Sequence, residues 1–157
     1  MNATATRARE HQVVFCGLEV LRLIGERMEN RHDVDGQDVQ VVLTFMRDVA
    51  HRCLDNTEEI LRSASLEQNV AKHRQARSLF DELSRAEGEA FASACRLYTD
   101  ILATSIFEDR RCLSTLDCDP VTLSRFYEWE REIAALARGH GQTLHRLEMK
   151  YTSPHCI

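Results

Sequence analysis

Residues 36–63 read GQDVQVVLTFMRDVAHRCLDNTEEILRS. Apolar side chains recur in this stretch at steps of three and four residues, the spacing that places them on one face of an α-helix. The same face continues through Leu54 to Glu58 and Leu61. The segment therefore predicts a long amphipathic helix whose buried stripe carries a carboxylate.

The same period extends over most of the chain. We expect helices over about 7–30, 36–63, 66–86 and 89–116, and a fifth helix from 120 to about 149, interrupted at its two glycines, 139 and 141. Only two prolines occur, and no long segment alternates with period two. The prediction is an all-α protein forming one domain over 1–157. It is an up-down-up-down four-helix bundle over about 7–116, with an additional C-terminal helix that caps or covers it.

Local signals mark some of the helix ends. Asp35 precedes the second helix and is a good N-cap, because its carboxylate accepts hydrogen bonds from the first amide groups. Pro120 suits the first position of the last helix. The tail from Tyr151 onward is expected to be frayed.

Composition excludes several classes of partner. The net charge is −5 and the sequence pI is about 5.8, so no large positive field is available for nucleic acid. No apolar run is long enough for a membrane span, and no export signal is visible. The six cysteines are scattered and indicate reduced thiols, so we expect a cytoplasmic protein. The oligomeric state stays open, a homo-oligomer included.

Four polar side chains lie on stripes that should be apolar. They are His11, Glu58, His73 and Asp109, one on each of the first four predicted helices. Helix bundles build metal sites from imidazole and carboxylate groups that face a shared centre, and iron, manganese and zinc accept such ligands. The pattern therefore predicts a metal site inside the bundle.

Other interpretations of these residues are open. Asp109 could pair with Arg77, which shares the stripe of His73, or with a core histidine, because a buried carboxylate requires a partner. Each histidine could be a core residue whose ring is satisfied by hydrogen bonds. A different set of ligands on the second helix would use Asp55 with Glu59, or His51 with Glu58 or Glu59. Asp55 and Glu59 lie about 100° around the helix from the stripe.

The pattern resembles the hemerythrin-like, or HHE cation-binding, domains. That family has a histidine on helix 1, His-x-x-x-Glu on helix 2, a histidine on helix 3 and a His–carboxylate pair on helix 4. In this chain Leu54 and Ser105 stand where the two paired histidines are expected. The likeness spans residues 8 to about 116. The segments that carry it are Glu10-His11, Phe45 with Cys53-Leu54-Asp55-Asn56-Thr57-Glu58-Glu59, Val70-Ala71-Lys72-His73, and Tyr98 to Leu102 with Ser105-Ile106-Phe107-Glu108-Asp109.

The resemblance implies a non-haem iron centre that handles dioxygen, nitric oxide, iron or redox state. Carried over by position, its ligands would be His11, Glu58, His73 and Asp109, holding one or two iron ions with fewer protein ligands than the family uses. Its partners would be the metal and a small diatomic molecule, in a binding or sensing role rather than turnover. The alternative is a metal-free bundle of the same descent that acts as a regulatory or protein-interaction module.

Overall fold

The computed structural model describes residues 3–63, 66–113 and 120–152; the side chains of residues 3–11, 63, 113, 123 and 126 are not part of the description. Every element in these ranges is helical, and they contain no strand, which confirms the all-α prediction. The elements are α1 (Ala3–Glu29), α2 (Gly36–Phe45), a π-helical segment (Met46–Ala50), α3 (His51–Ser63), α4 (Glu67–Arg85), α5 (Gly88–Leu113) and α6 (Pro120–Thr152).

The predicted second helix is one rod with a π-helical segment inside it. This segment, Met46–Ala50, joins α2 directly to α3. A π turn takes up an extra residue and so rotates everything that follows relative to a regular helix. Phe45, which directly precedes this segment and which the regular period leaves off the stripe, is also fully buried. The apolar face that the sequence predicts is nonetheless buried on both sides of the segment, from Val42 to Leu54 and Leu61.

The core lies between α1, α5 and α6 on one side and between α4 and α5 on the other. We expected the last helix to cap or cover the bundle. α6 packs against α1 and contributes buried side chains to the core. Its buried side chains are Ile133, Ala137, Leu144, Leu147 and Tyr151.

The prediction that Gly139 and Gly141 interrupt the last helix is wrong. α6 continues through both glycines to Thr152. Buried residues lie on either side of them, Ala137 before and Leu144 after, and their packing against the core holds the backbone helical despite the poor helix propensity of glycine. The expected frayed start of the tail is also wrong, because Tyr151 is buried at the end of α6 and its hydroxyl donates to Asp38 Oδ2 at 2.5 Å.

The predicted start of the second helix is confirmed by its cap. The Asp35 carboxylate accepts a hydrogen bond from the Gln37 amide at 2.9 Å. Pro120 is the first residue of α6, as predicted. None of the described helices combines the length and the apolar character that crossing a membrane requires.

Replacing Gly141 or Gly17 by alanine is expected to change stability in opposite directions, because the space around the two residues differs. A Cβ atom at Gly141 would meet nothing within 4 Å, whereas a Cβ at Gly17 would lie 2.5 Å from Phe45 Cε1. Gly141→Ala is expected to raise the free energy of unfolding by about 0.4–1 kcal/mol, and Gly17→Ala to lower it by about 1–3 kcal/mol. Urea denaturation of both variants measures the two changes. A destabilised Gly141→Ala protein would contradict a continuous α6.

Candidate polar site in the bundle interior

Three of the four residues singled out in the sequence meet inside the protein. Glu58 comes from α3, His73 from α4 and Asp109 from α5. The side chain of His73 is fully buried, that of Asp109 is 7% exposed and that of Glu58 is 15% exposed. His73 lies between the two acids: its Nε2 faces Asp109 and its Nδ1 faces Glu58. Helical spacing alone therefore located these three side chains correctly.

Asp109 is held by two donors. His73 Nε2 donates to its Oδ2 at 2.5 Å, and the Asn69 amide donates to its Oδ1 at 3.0 Å. Asn69 is itself buried. Each carboxylate oxygen thus has a protein donor, which is what a buried carboxylate needs in order to offset the cost of leaving water.

Glu58 is held by a cation. Arg77 Nη1 donates to Glu58 Oε1 at 2.7 Å, and the other arm of the same guanidinium contacts Asp55. His73 Nδ1 stands 3.5 Å from Glu58 Oε1 and has no hydrogen-bond partner among the described residues. Of the two partners predicted for Asp109 in a metal-free protein, Arg77 is wrong and a core histidine is right: Asp109 contacts His73, whereas Arg77 contacts Glu58.

The two positions that lack the expected histidines both lie in the interior. Leu54 and Ser105 are each 1% exposed. The Ser105 hydroxyl has no hydrogen-bond partner in the described part of the chain. His11 lies within α1, but its side chain is outside the described residues, so the fourth predicted site residue is not placed.

The alternative ligands on the second helix do not join this centre. Asp55 and Glu59 are exposed, and Glu59 forms an ion pair with Arg125 Nη1 of α6 at 2.9 Å. His51 instead packs on the ring of Phe80, and its Nε2 is hydrogen-bonded to the Tyr98 hydroxyl at 2.9 Å. Burial, with a smaller contribution from the charge of Arg77, lowers the pKa of His51 to about 4.

The sequence reasoning missed Asn69 and the pairing of His51 with Tyr98. Asn69 stands four residues before His73, one turn away on the same stripe of α4, so its spacing was a usable signal. His51 directly follows the π-helical segment Met46–Ala50, which changes the direction of its side chain. No pattern in the sequence predicts that segment.

The donors described here do not fit an iron ion. Two donors bound to one metal at about 2.1 Å stand about 3 Å apart, whereas His73 Nε2 and Asp109 Oδ2 are 2.5 Å apart, the distance of a direct hydrogen bond. His73 Nδ1 and Glu58 Oε1 could share one ion, but Arg77 already places a positive charge on that oxygen. Within the described ranges, no three His, Cys, Asp or Glu side chains are arranged to hold a metal.

Two of the described cysteines, Cys16 and Cys95, are poor candidates for metal ligands. Cys16, Cys53, Cys95 and Cys112 form no disulfide. Burial raises the pKa of Cys95 to about 12, and burial together with the neighbouring Glu148 raises the pKa of Cys16 to about 12. Both thiols are protonated at neutral pH, whereas metals bind the thiolate.

Comparison of the chain with protein-family models, with curated proteins and with solved structures gives no significant match.

Proposed function

We propose that this chain is a hemerythrin-like helical module in which a network of hydrogen bonds and an Arg–Glu ion pair takes the place of a metal centre, and that it acts in protein interaction or regulation. The observation that carries the proposal is that both carboxylates, Asp109 and Glu58, already have protein partners. Asp109 is bound by His73 and Asn69, and Glu58 is bound by Arg77. The guanidinium of Arg77 thus binds the carboxylate that, by the family resemblance, would bind a metal ion.

The up-down course of the bundle is part of the same proposal. Contacts between α4 and α5 run in opposite directions along the two helices: Lys72 meets Glu108, whereas Asn69, three residues earlier, reaches Cys112. Between α3 and α4, Arg77 meets Asp55, whereas Glu58 faces the earlier residue His73. Antiparallel neighbours joined by short connections are what an up-down bundle requires.

A buried network of this kind suits a structural role inside a binding module. His73 and Asp109 are shielded from water, so neither can meet a substrate from solution without a rearrangement of the helices. Pairing buried charges adds little net stability compared with an apolar core, and one of its best-attested uses is to fix how helices pair. Recognition of other molecules would then fall to the outer surface.

Metal content is the direct test of this function. Protein purified without a histidine tag and analysed by plasma mass spectrometry is expected to contain iron, manganese and zinc far below one ion per chain. The midpoint of thermal unfolding is expected to be the same with and without a chelator, because no metal contributes to folding. Iron close to one or two ions per chain would contradict the metal-free module.

One observation favours a second candidate, a reduced metal site. His73 Nδ1 is buried without a hydrogen-bond partner and stands 3.5 Å from Glu58 Oε1. One iron ion could be shared by these two atoms if His11 joined them and Arg77 moved away. Open positions on it would then take water or a small diatomic molecule such as dioxygen or nitric oxide. Iron near one ion per chain, lost on treatment with a chelator, would favour this candidate.

Restoring the two missing histidines tests the register that underlies both candidates. Leu54→His with Ser105→His places an imidazole one turn from Glu58 and from Asp109, on faces that are already buried. The double variant is expected to bind iron that the parent does not bind, because two His–carboxylate pairs then face the interior. Iron content after reconstitution under reducing conditions is the measurement, with each single variant as a control. A folded double variant that binds no more iron than the parent would show that the register is wrong.

A further inference from the structure

A groove runs along the outer surface between α1 and α5. Its volume is about 600 Å³, and its apolar lining comes from Phe15, Leu18 and Ala103. Phe15 is 39% exposed, which is unusual for a large aromatic side chain. The polar side chains that line the groove are Glu19, Arg22, Arg96, Thr99 and Asp100.

The exposed face of α5 beside this groove carries a large aromatic side chain. Phe107 lies one turn beyond Ala103 on the same face and is 66% exposed. Together with Asp100 and Arg110, these residues recur at steps of three and four and so form one ridge, Asp100–Ala103–Phe107–Arg110. In this ridge the small Ala103 lies beside the groove, and the large Phe107 lies one turn later.

We infer that this face binds a second copy of the same chain, through antiparallel contact of the two α5 helices. In a two-fold interface the same patch serves both partners, so a knob and the hole that receives it must occur on one surface. Phe107 is the knob, and the groove beside Ala103 and Phe15 is the hole. The small Ala103 lets the two helices approach closely at the point where Phe107 enters.

Charge complementarity fixes the register of this pairing. When Phe107 of one copy lies opposite Ala103 of the other, the residue three positions after Phe107 lies opposite the residue three positions before Ala103. These are Arg110 and Asp100, which carry opposite charges. Two-fold symmetry gives this ion pair twice, once on each side of the aromatic contacts. A self-complementary pattern of this kind favours a copy of the chain over an unrelated partner.

This inference deepens the proposed function by naming the partner of the interaction module, and it rests on that function only for its biological role. Its physical test is independent of metal content. A monomeric, metal-free protein would contradict the interface and agree with the proposed function. A dimeric, iron-loaded protein would agree with the interface and contradict the proposed function.

Sedimentation equilibrium of the full chain tests the interface. The parent is expected to be a dimer at roughly 0.1 mM. Phe107→Glu is expected to raise the dissociation constant at least about thirtyfold, the effect of losing a central aromatic contact. Met149→Glu is the matched control, because Met149 is a 63% exposed apolar residue of α6 and belongs neither to the groove nor to the ridge. The control should leave the dissociation constant within a few fold of the parent value.

A charge exchange tests the register. Asp100→Arg places like charges opposite Arg110 and is expected to weaken the dimer about tenfold or more. Adding Arg110→Asp restores opposite charges and should return the dissociation constant towards that of the parent. Both residues lie on the surface ridge, so circular dichroism of each variant should match the parent.

Three results would overturn the interface. The first is a parent protein that stays monomeric at roughly 0.1 mM, which would leave the groove to a different partner. The second is a folded Phe107→Glu variant that dimerises as tightly as the parent. The third is a double charge exchange that dimerises no better than Asp100→Arg alone, since opposite charges in the stated register would then have no effect.

Discussion

Asp109→Ala is expected to lower the free energy of unfolding by about 3–5 kcal/mol, the cost of removing one partner from a buried ionic network. The carboxylate accepts from the imidazole of His73 and from the amide of Asn69, and both of these residues are buried. Without Asp109, two buried donors lose their acceptor and a cavity forms beside them. Chemical denaturation at neutral pH gives the value directly.

The neighbouring acid supplies the control for Asp109. Glu108 stands next to it on α5 and forms an ion pair with Lys72, but the Glu108 side chain is 30% exposed and that of Lys72 is 36% exposed. Glu108→Ala should cost no more than about 1 kcal/mol, because water replaces the lost partner. Asp109→Asn, which keeps an oxygen that can accept from His73, should cost less than Asp109→Ala. Equal effects of Asp109→Ala and Glu108→Ala would show that Asp109 does not hold the interior together.

The same measurements in a chelator separate the two candidate functions. In a metal-free module, the parent is insensitive to chelator and the loss in Asp109→Ala is unchanged. In a metal site, the chelator destabilises the parent and has little further effect on Asp109→Ala, since site formation and folding are linked.

His51 is expected to make folding sensitive to acid. Its pKa is about 4 in the folded protein, against an ordinary value of 6.5, chiefly because the ring is buried against Phe80 and Tyr98. Between pH 6.5 and about 4, His51 therefore binds a proton in the unfolded chain but stays neutral in the folded protein. Stability from this group is complete above pH 6.5 and falls as the pH drops from 6.5 to about 4. The loss amounts to about 3 kcal/mol.

Comparison with a non-titrating variant isolates this contribution. His51→Gln cannot bind a proton, and its amide oxygen can accept from the Tyr98 hydroxyl. The difference in unfolding free energy between parent and variant should shrink or change sign as the pH falls from 6.5 to 4, because only the parent loses the His51 contribution. A difference that stays constant over this range would show that His51 is not buried in its neutral form.

The sequence by itself determined what depends on near neighbours along the chain. Steps of three and four residues identified the helices, and they placed Glu58, His73 and Asp109 on inward faces because a helix repeats every 3.6 residues. Asp35 and Pro120 marked helix starts through capping and a fixed backbone angle, which are also local effects. These predictions held because no contact between distant residues competes with them.

Only the tertiary structure decided which charges pair. Arg77 and Asp109 were both expected inside, yet Arg77 reaches Glu58 and Asp109 takes His73 and Asn69. A shift of 1–2 Å between helices exchanges such partners, and helical period carries no information on that scale. In the same way, packing of the last helix against α1 overrode the signal of Gly139 and Gly141, and a π-helical segment turned His51 towards Tyr98. Periodicity fixes the face on which a side chain lies, whereas the distance and angle between helices, set by the whole core at once, select its partner.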